Sequence, residues 1–453
     1  MSPTSAPFAI ACLCAAVFLT PAPFNPLLAQ NKTPPPAQLK ALQNLADSTE
    51  SPAMLALEEL IQVCTERDGT VSFRPRIAAC SAALRSPGLS DADRALVLYK
   101  RGELHRTMLD EFRARADFAE ALGLYDRLVA AGTPAPGLLQ QRGSSAHALG
   151  FRDRALSDYD LVIQLDPRNA RVLINRGILL AKHKHDYAAA IADLDQALAL
   201  APNDEDALMA RGEAYGDFGD VQRALADLDR AIALEPLNSK AYLLRGIVSG
   251  RGGDQESAFA DYDKAATLDP LNAEALVNRA AIRSTRGDQD GAIFDLDAAI
   301  ALQPNDPAAR YNRGYAYFAK RDYARAIDDY SAAIRANPKM SMAYNNRCLT
   351  RVIAGRELAE AIADCDLALS QMPDSLQYRD TRGFVYLKLG KPALAFAEYE
   401  AALRIAPRWP HSLYGRGLAS IKLGRTAEGE ADRAAARLLM PGIDSHFSTY
   451  GIN

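Results

Sequence analysis

The chain has 453 residues, 49% of them hydrophobic and 24% charged, with a formal net charge of −4. That balance is typical of a folded chain, and it excludes the basic stripe with which a nucleic-acid-binding surface neutralises phosphates. Nothing in it points to an anionic membrane surface.

No charged side chain precedes Lys32, and Phe8 to Leu19 is an unbroken apolar run, short for a bilayer crossing. Pro21, Pro23 and Pro26 follow, and Ala29 is a small residue placed as a cleavage position. This layout predicts a signal peptide over 1–29, cleaved or retained as an anchor, although no Lys or Arg precedes the apolar run. The chain is therefore expected to be periplasmic or otherwise exported. Residues 30–52 read as a Pro-rich linker, with Lys32 to Gln38 (KTPPPAQ) extended.

From Arg101 onward one doublet recurs: Arg101-Gly102, Arg142-Gly143, Arg176-Gly177, Arg211-Gly212, Arg245-Gly246, Arg279-Ala280, Arg313-Gly314, Arg347-Cys348, Arg382-Gly383 and Arg416-Gly417. After a longer first interval, from Arg101 to Arg142, the spacings are all 34 or 35. Further small residues follow at fixed offsets, as at Ala190, Ala224, Ala258, Ala292 and Ala326, and prolines close the units at Pro167, Pro202, Pro236, Pro270, Pro304, Pro338, Pro373, Pro407 and Pro441. Such a period implies two short helices per unit. Small residues let the helices approach, a turn such as Gly219-Asp220 or Gly287-Asp288 ends the first helix, and proline stops the second. A lone hairpin cannot bury its apolar face, so neighbours must stack.

The pattern resembles the tetratricopeptide repeat family. The unit from Pro307 to Met340 shows it with Gly314, Tyr317, Ala326, Tyr330, Ala333 and Pro338. The resemblance implies an all-α, α-α superhelix of about ten helix-turn-helix repeats over 91–441. An N-terminal cap hairpin over 53–90 precedes them, and a C-terminal capping tail over 442–453 follows, with Phe447, Tyr450 and Ile452 covering the last repeat. It also implies a non-enzymatic scaffold with no cofactor, whose partner is a protein or an extended peptide. No GxSxG, HExxH, GxGxxG or P-loop signature argues otherwise. The other reading open at this stage is a structural accessory or spacer subunit of an envelope assembly or polysaccharide-export machine.

Two departures from the family pattern stand out. Position 7 of each unit, usually Leu, is Arg in all ten, and the last unit has Gly429 and Arg433 in place of Ala and an aromatic. An acid recurs in every second helix, from Asp117, Asp158, Asp193 and Asp227 to Asp364, Glu398 and Asp432. Arginines and acids at constant registers predict a ladder of ion pairs, though spacing leaves open whether each acid serves its own unit or a neighbour.

Cys64 and Cys80 are separated by nearly the same stretch of chain as Cys348 and Cys365. Cys348 fills a small-residue slot of a first helix and Cys365 the aromatic slot of a second, and the segment around Cys80 resembles that around Cys365. Both pairs are expected to bridge a helix hairpin as disulfides; the other reading is four buried thiols. Their spacing is not that of a zinc site, and His183 and His185 read as an exposed turn with no metal role.

In the resembled family the first helices line the inner surface through positions 2, 5, 6, 9, 12 and 13. At position 6 stand Asn278, Asn312 and Asn346, an arrangement like the asparagine ladder with which some members grip a peptide main chain. Position 5 adds Tyr311 and Asn345, position 9 Tyr315 and position 12 Phe318. These seven residues are the candidate peptide-binding set. The plainer reading is that the asparagines tolerate a packed face and the tyrosines fill the interior.

Overall fold

The computed structural model describes residues 57–65, 72–108, 110–132 and 135–452. The expected signal peptide and linker lie outside these residues. Among the described residues the regular structure is entirely helical, and the chain is an all-α array of helix-turn-helix repeats, of the α-α superhelix class. Contacts divide it into two compact units at Gly253 and Asp254.

In the first unit a hairpin of α1 (Leu57–Thr65) and α2 (Phe73–Arg85) leads into the paired helices α3 (Asp91–Thr107) and α4 (Glu111–Ala131), α5 (Pro136–Ala148) and α6 (Arg152–Leu165), α7 (Ala170–Leu179) and α8 (Tyr187–Leu200), and α9 (Glu205–Phe218) and α10 (Val221–Leu234), then α11 (Ser239–Arg251). The second unit begins with α12 (Gln255–Leu268). Its pairs are α13 (Ala273–Thr285) and α14 (Gln289–Leu302), α15 (Pro307–Ala319) and α16 (Tyr323–Ala336), α17 (Ser341–Ile353) and α18 (Leu358–Gln371), α19 (Leu376–Lys388) and α20 (Pro392–Ile405), and α21 (Pro410–Lys422) and α22 (Thr426–Leu439), with α23 (Ile443–Thr449) last. The first member of each pair is called helix A below and the second helix B; by sequence register α11 is an A helix and α12 a B helix.

Local chemistry sets these boundaries. Gly219 ends α9 at φ 93°, a conformation that glycine adopts without a steric penalty. The next residue, Asp220, accepts the Arg223 backbone N–H and caps α10, and Asp186, Asp254, Asp288 and Asp322 do the same for their own B helices. Where no glycine precedes the cap, Arg321 and His185 take the left-handed turn themselves, at φ 62° and 54°. The repeat that begins at Arg176 is one residue longer than its neighbours, and it absorbs the extra residue at Leu180–Lys184, where α7 widens into a π-helical turn.

Small residues hold each pair together. A Cβ placed on Gly314 would lie 2.9 Å from the Tyr330 ring and 3.2 Å from the Ala326 carbonyl oxygen, so α15 and α16 meet with no room for a side chain. Ala190, Ala224, Ala292, Ala326, Ala361 and Ala395 have no exposed surface. Their smallness is what permits native packing density between the helices.

Among the described residues the Arg–acid ladder forms inside single repeats. Four pairs lie in the first unit and five in the second, running from Arg101–Asp117 to Arg416–Asp432. Most are two-pronged, as where Arg313 donates from Nε to Asp329 at 2.7 Å and from Nη2 at 2.8 Å. The remaining guanidinium nitrogen reaches back to the B helix of the preceding repeat: Arg176 to Asp160, Arg211 to Asp195, Arg245 to Asp229, Arg279 to Asp263, Arg313 to Asp297 and Arg382 to Asp366, all at 2.6–2.8 Å. For Arg347 the receiver is Ser331. Each acid therefore serves its own unit, and a second acid, two residues further along helix B, serves the next one.

Candidate functional site

The A helices of the second unit carry the candidate peptide set. Asn278 on α13 and Asn312 on α15 occupy the same register, are half-exposed, and make no side-chain hydrogen bond with any described residue. Asn346 on α17 is held: its Nδ2 donates to the Tyr311 hydroxyl at 2.9 Å. Asn175 stands at the same register in the first unit.

Tyr311 stacks tilted against Tyr330 at 5.7 Å and is half-buried, as is Tyr315. Phe318 is buried within the core, 5.8 Å from the Tyr323 ring. Asn345 is also buried; its Nδ2 donates to Asn346 at 3.3 Å, and its Oδ1 has no hydrogen-bond partner among the described residues. Of the seven candidates, Asn278, Asn312, Tyr311 and Tyr315 face outward in part, Asn346 is tied to Tyr311, and Phe318 and Asn345 lie inside.

The cysteines meet in the two expected combinations: Cys64 with Cys80 across α1 and α2, and Cys348 with Cys365 across α17 and α18, both as disulfides and fully enclosed. No group of three or more His, Cys, Asp or Glu side chains able to hold a metal occurs among the described residues. His183 lies 3.2 Å from Asp153, which also takes the Lys184 ammonium at 2.7 Å; both contacts brace the π-helical turn.

Two features escaped sequence reasoning. Asp380, at position 5 of α19, is buried, and no cation among the described residues accompanies it; it accepts only the Ser412 hydroxyl of α21, at 2.5 Å. Burial pushes its carboxyl up to about 7. The other buried aspartates all stand at the ladder register, so an acid outside that register was the available signal. The second feature is the reach of the segment after the last repeat. Ile443, Phe447, Tyr450 and Ile452 are buried, and Phe447 lies 4.7 Å from Tyr414 and 6.0 Å from Phe384. No helix among the described residues is long and apolar enough to cross a membrane.

Models of the tetratricopeptide repeat match the chain at 141–205 and 209–273, at 307–340 and at 376–408, and a TPR-repeat model matches 285–321. Among solved structures, a chain of the APC/C hetero-tetramer Cut9-Hcn1 is 16% identical over 80% of this chain and 86% of that one, with a TM-score of 0.51. A tetratricopeptide repeat protein from Parabacteroides merdae is 19% identical over 57% of this chain and 98% of that one, at a TM-score of 0.42. YrrB, described as a TPR protein with an unusual peptide-binding site, is 22% identical over 41% of this chain and 95% of that one, at 0.33. At 16% identity the likeness to the Cut9-Hcn1 chain speaks to fold alone.

Proposed function

Because the chain belongs to the tetratricopeptide repeat family, we propose that it is a non-enzymatic scaffold of the cell envelope that binds a protein or an extended peptide along its A helices. Its place is the periplasm or another exported compartment, reached through the segment 1–29, and two enclosed disulfides suit an oxidising compartment. The observation that carries the reading is the pair of unengaged amides, Asn278 and Asn312, at one register on successive A helices, with Tyr311 and Tyr315 beside them. An amide both donates to and accepts from a peptide group, so such a pair holds main chain without demanding a sequence. Asn346, Asn345 and Phe318 shape the wall of this groove from behind.

The test is a labelled random-peptide panel read by anisotropy on wild type and on Asn278→Ala/Asn312→Ala. The double variant is expected to lose at least tenfold in affinity with its helical spectrum unchanged. Equal binding by the two proteins removes the groove.

The shared guanidinium ladder favours a second reading, a stiff spacer subunit of an envelope assembly, since arginines such as Arg211, Arg279 and Arg313 each tie two successive B helices. Co-purification with a membrane complex, together with no affinity for any panel peptide, would select it.

A further inference from the structure

We propose that the A-helix face of the last two repeats is a peptide-binding site occupied by the chain's own following segment, residues 443–452, which acts as a displaceable self-ligand. This places a specific ligand class and a means of regulation on the surface type invoked under Proposed function, and it rests on that reading only in using the same helix face.

A terminal cap need cover only the last helix pair. This segment reaches further. Phe447 packs on Tyr414 of α21 and on Phe384 of α19, one repeat back, and Tyr450 meets Phe384 edge-on at 6.0 Å. Gly451 passes beside the Lys388 ammonium of α19. Counted from the repeat arginine, Phe384 and Leu418 stand at position 9, Lys388 at position 13 and Tyr414 at position 5. Positions 9 and 5 are the registers that Tyr315 and Tyr311 occupy upstream. Exposure at position 9 falls toward the segment: Ala281 and Tyr315 are half-exposed, Leu349 is 6% exposed, and Leu418 and Phe384, beneath it, are 3% and 0% exposed.

The attachment has the make-up of a bound peptide. Two aromatic anchors and two aliphatic side chains enter the core, and one acid at the rim fixes the entry. Asp444 accepts from Arg437 through Nε and Nη2, both at 2.9 Å, and from the Tyr414 hydroxyl at 2.7 Å. A helix of seven residues has no stability of its own, so α23 persists only while docked, and a short docked segment belongs to the low-stability end of a fold. The ligand class is thus a short segment with aromatic residues at i and i+3, an aliphatic residue at i+5 and an acid at i−3, as in Asp444, Phe447, Tyr450 and Ile452.

The probe is a fluorescein-labelled peptide with the sequence of residues 441–453, read by anisotropy against three proteins: the full chain, a chain ending at Gly442, and the full chain with Phe447→Ala/Tyr450→Ala. The two released proteins are expected to bind at least tenfold more tightly than the full chain, and Phe384→Ala in the released chain to remove that gain. Should the shortened chain lose helical signal, the double variant alone decides. Equal affinity for the full and released proteins, or binding indifferent to Phe384→Ala, overturns the proposal. A random dodecapeptide library selected on the released chain is expected to return the aromatic pair at i and i+3; a selection without it overturns the ligand class. Asn278→Ala/Asn312→Ala should leave this peptide's affinity unchanged, so failure of the upstream groove and failure of this site are separate results.

Discussion

Asp295 has no exposed surface, yet it receives Arg279 through two nitrogens and Arg283 at 2.9 Å. A buried ion pair is costly to break because the survivor stays buried and uncompensated. Asp295→Ala should therefore lower stability by about 3 kcal/mol, and Arg279→Ala/Asp295→Ala by clearly less than the sum of the single changes, in urea unfolding. Additive losses would mean that the pair is not coupled. Asp380 is the opposite case, a carboxyl with a hydroxyl and no cation among the described residues. Its folded value of about 7 lies above the ~4 of an unfolded aspartate. The resulting penalty is absent in acid, grows as pH rises between those values, and is constant above them. Asp380→Asn, which still accepts from Ser412, should match wild type near pH 4 and exceed it by roughly 1–3 kcal/mol at pH 8; an equal margin at both pH values would contradict this. The ladder's existence was legible in the sequence because Arg replaces an apolar slot ten times. Its partner choice was not, since one guanidinium reaches acids in two different repeats and linear spacing treats both as neighbours.

At the scale of elements, slot equivalence made the cysteine pairs legible: a helix A small-residue position and a helix B aromatic position face each other in every repeat. Closing the loop between Cys348 and Cys365 is worth about 3 kcal/mol in the chain-entropy account. Alkylation without reductant should leave Cys64, Cys80, Cys348 and Cys365 unmodified, read by mass, and modification of all four would rule out both bridges. The candidate peptide set was only partly legible. Position in the repeat predicted which residues turn toward the A-helix face, but Phe318, Phe384 and Asn345 are covered by neighbours that no local pattern announces. Docking of α23 also has a pH signature. Burial pulls both His411 and His446 down to about 4, and the neighbouring His411 ring adds to the shift of His446. Against an ordinary value of ~6.5, both stabilise the docked state fully above that pH and cease to as pH falls toward 4. Arg433, Arg437 and Asp444 remain charged throughout this range. Trp409, the only tryptophan, lies 5.9 Å from His411, so its fluorescence should report undocking below about pH 5. His446→Phe should move that transition to lower pH, and an unmoved midpoint would acquit the histidines.

The whole molecule was the most legible level, because the repeat period, its small residues and its closing prolines all specify one repeated solution. In such an array stability is a sum over units and the contacts between neighbours. Excising residues 307–340, the α15–α16 repeat, should therefore leave a chain with unchanged helicity per residue by circular dichroism. Collapse of the helical signal would show that this repeat does something its copies do not. The shared guanidinium has a corollary for repeat number. Arg176, Arg211, Arg245, Arg279, Arg313 and Arg382 each borrow one carboxylate from the hairpin before them, so inserting or dropping a whole period at those places delivers a matched charge to the new junction. After the excision just described, Arg347 would find Asp297 where it now finds Ser331. A change by whole periods thus keeps the charges matched, while a slip out of phase parts these half-buried cations from their acids.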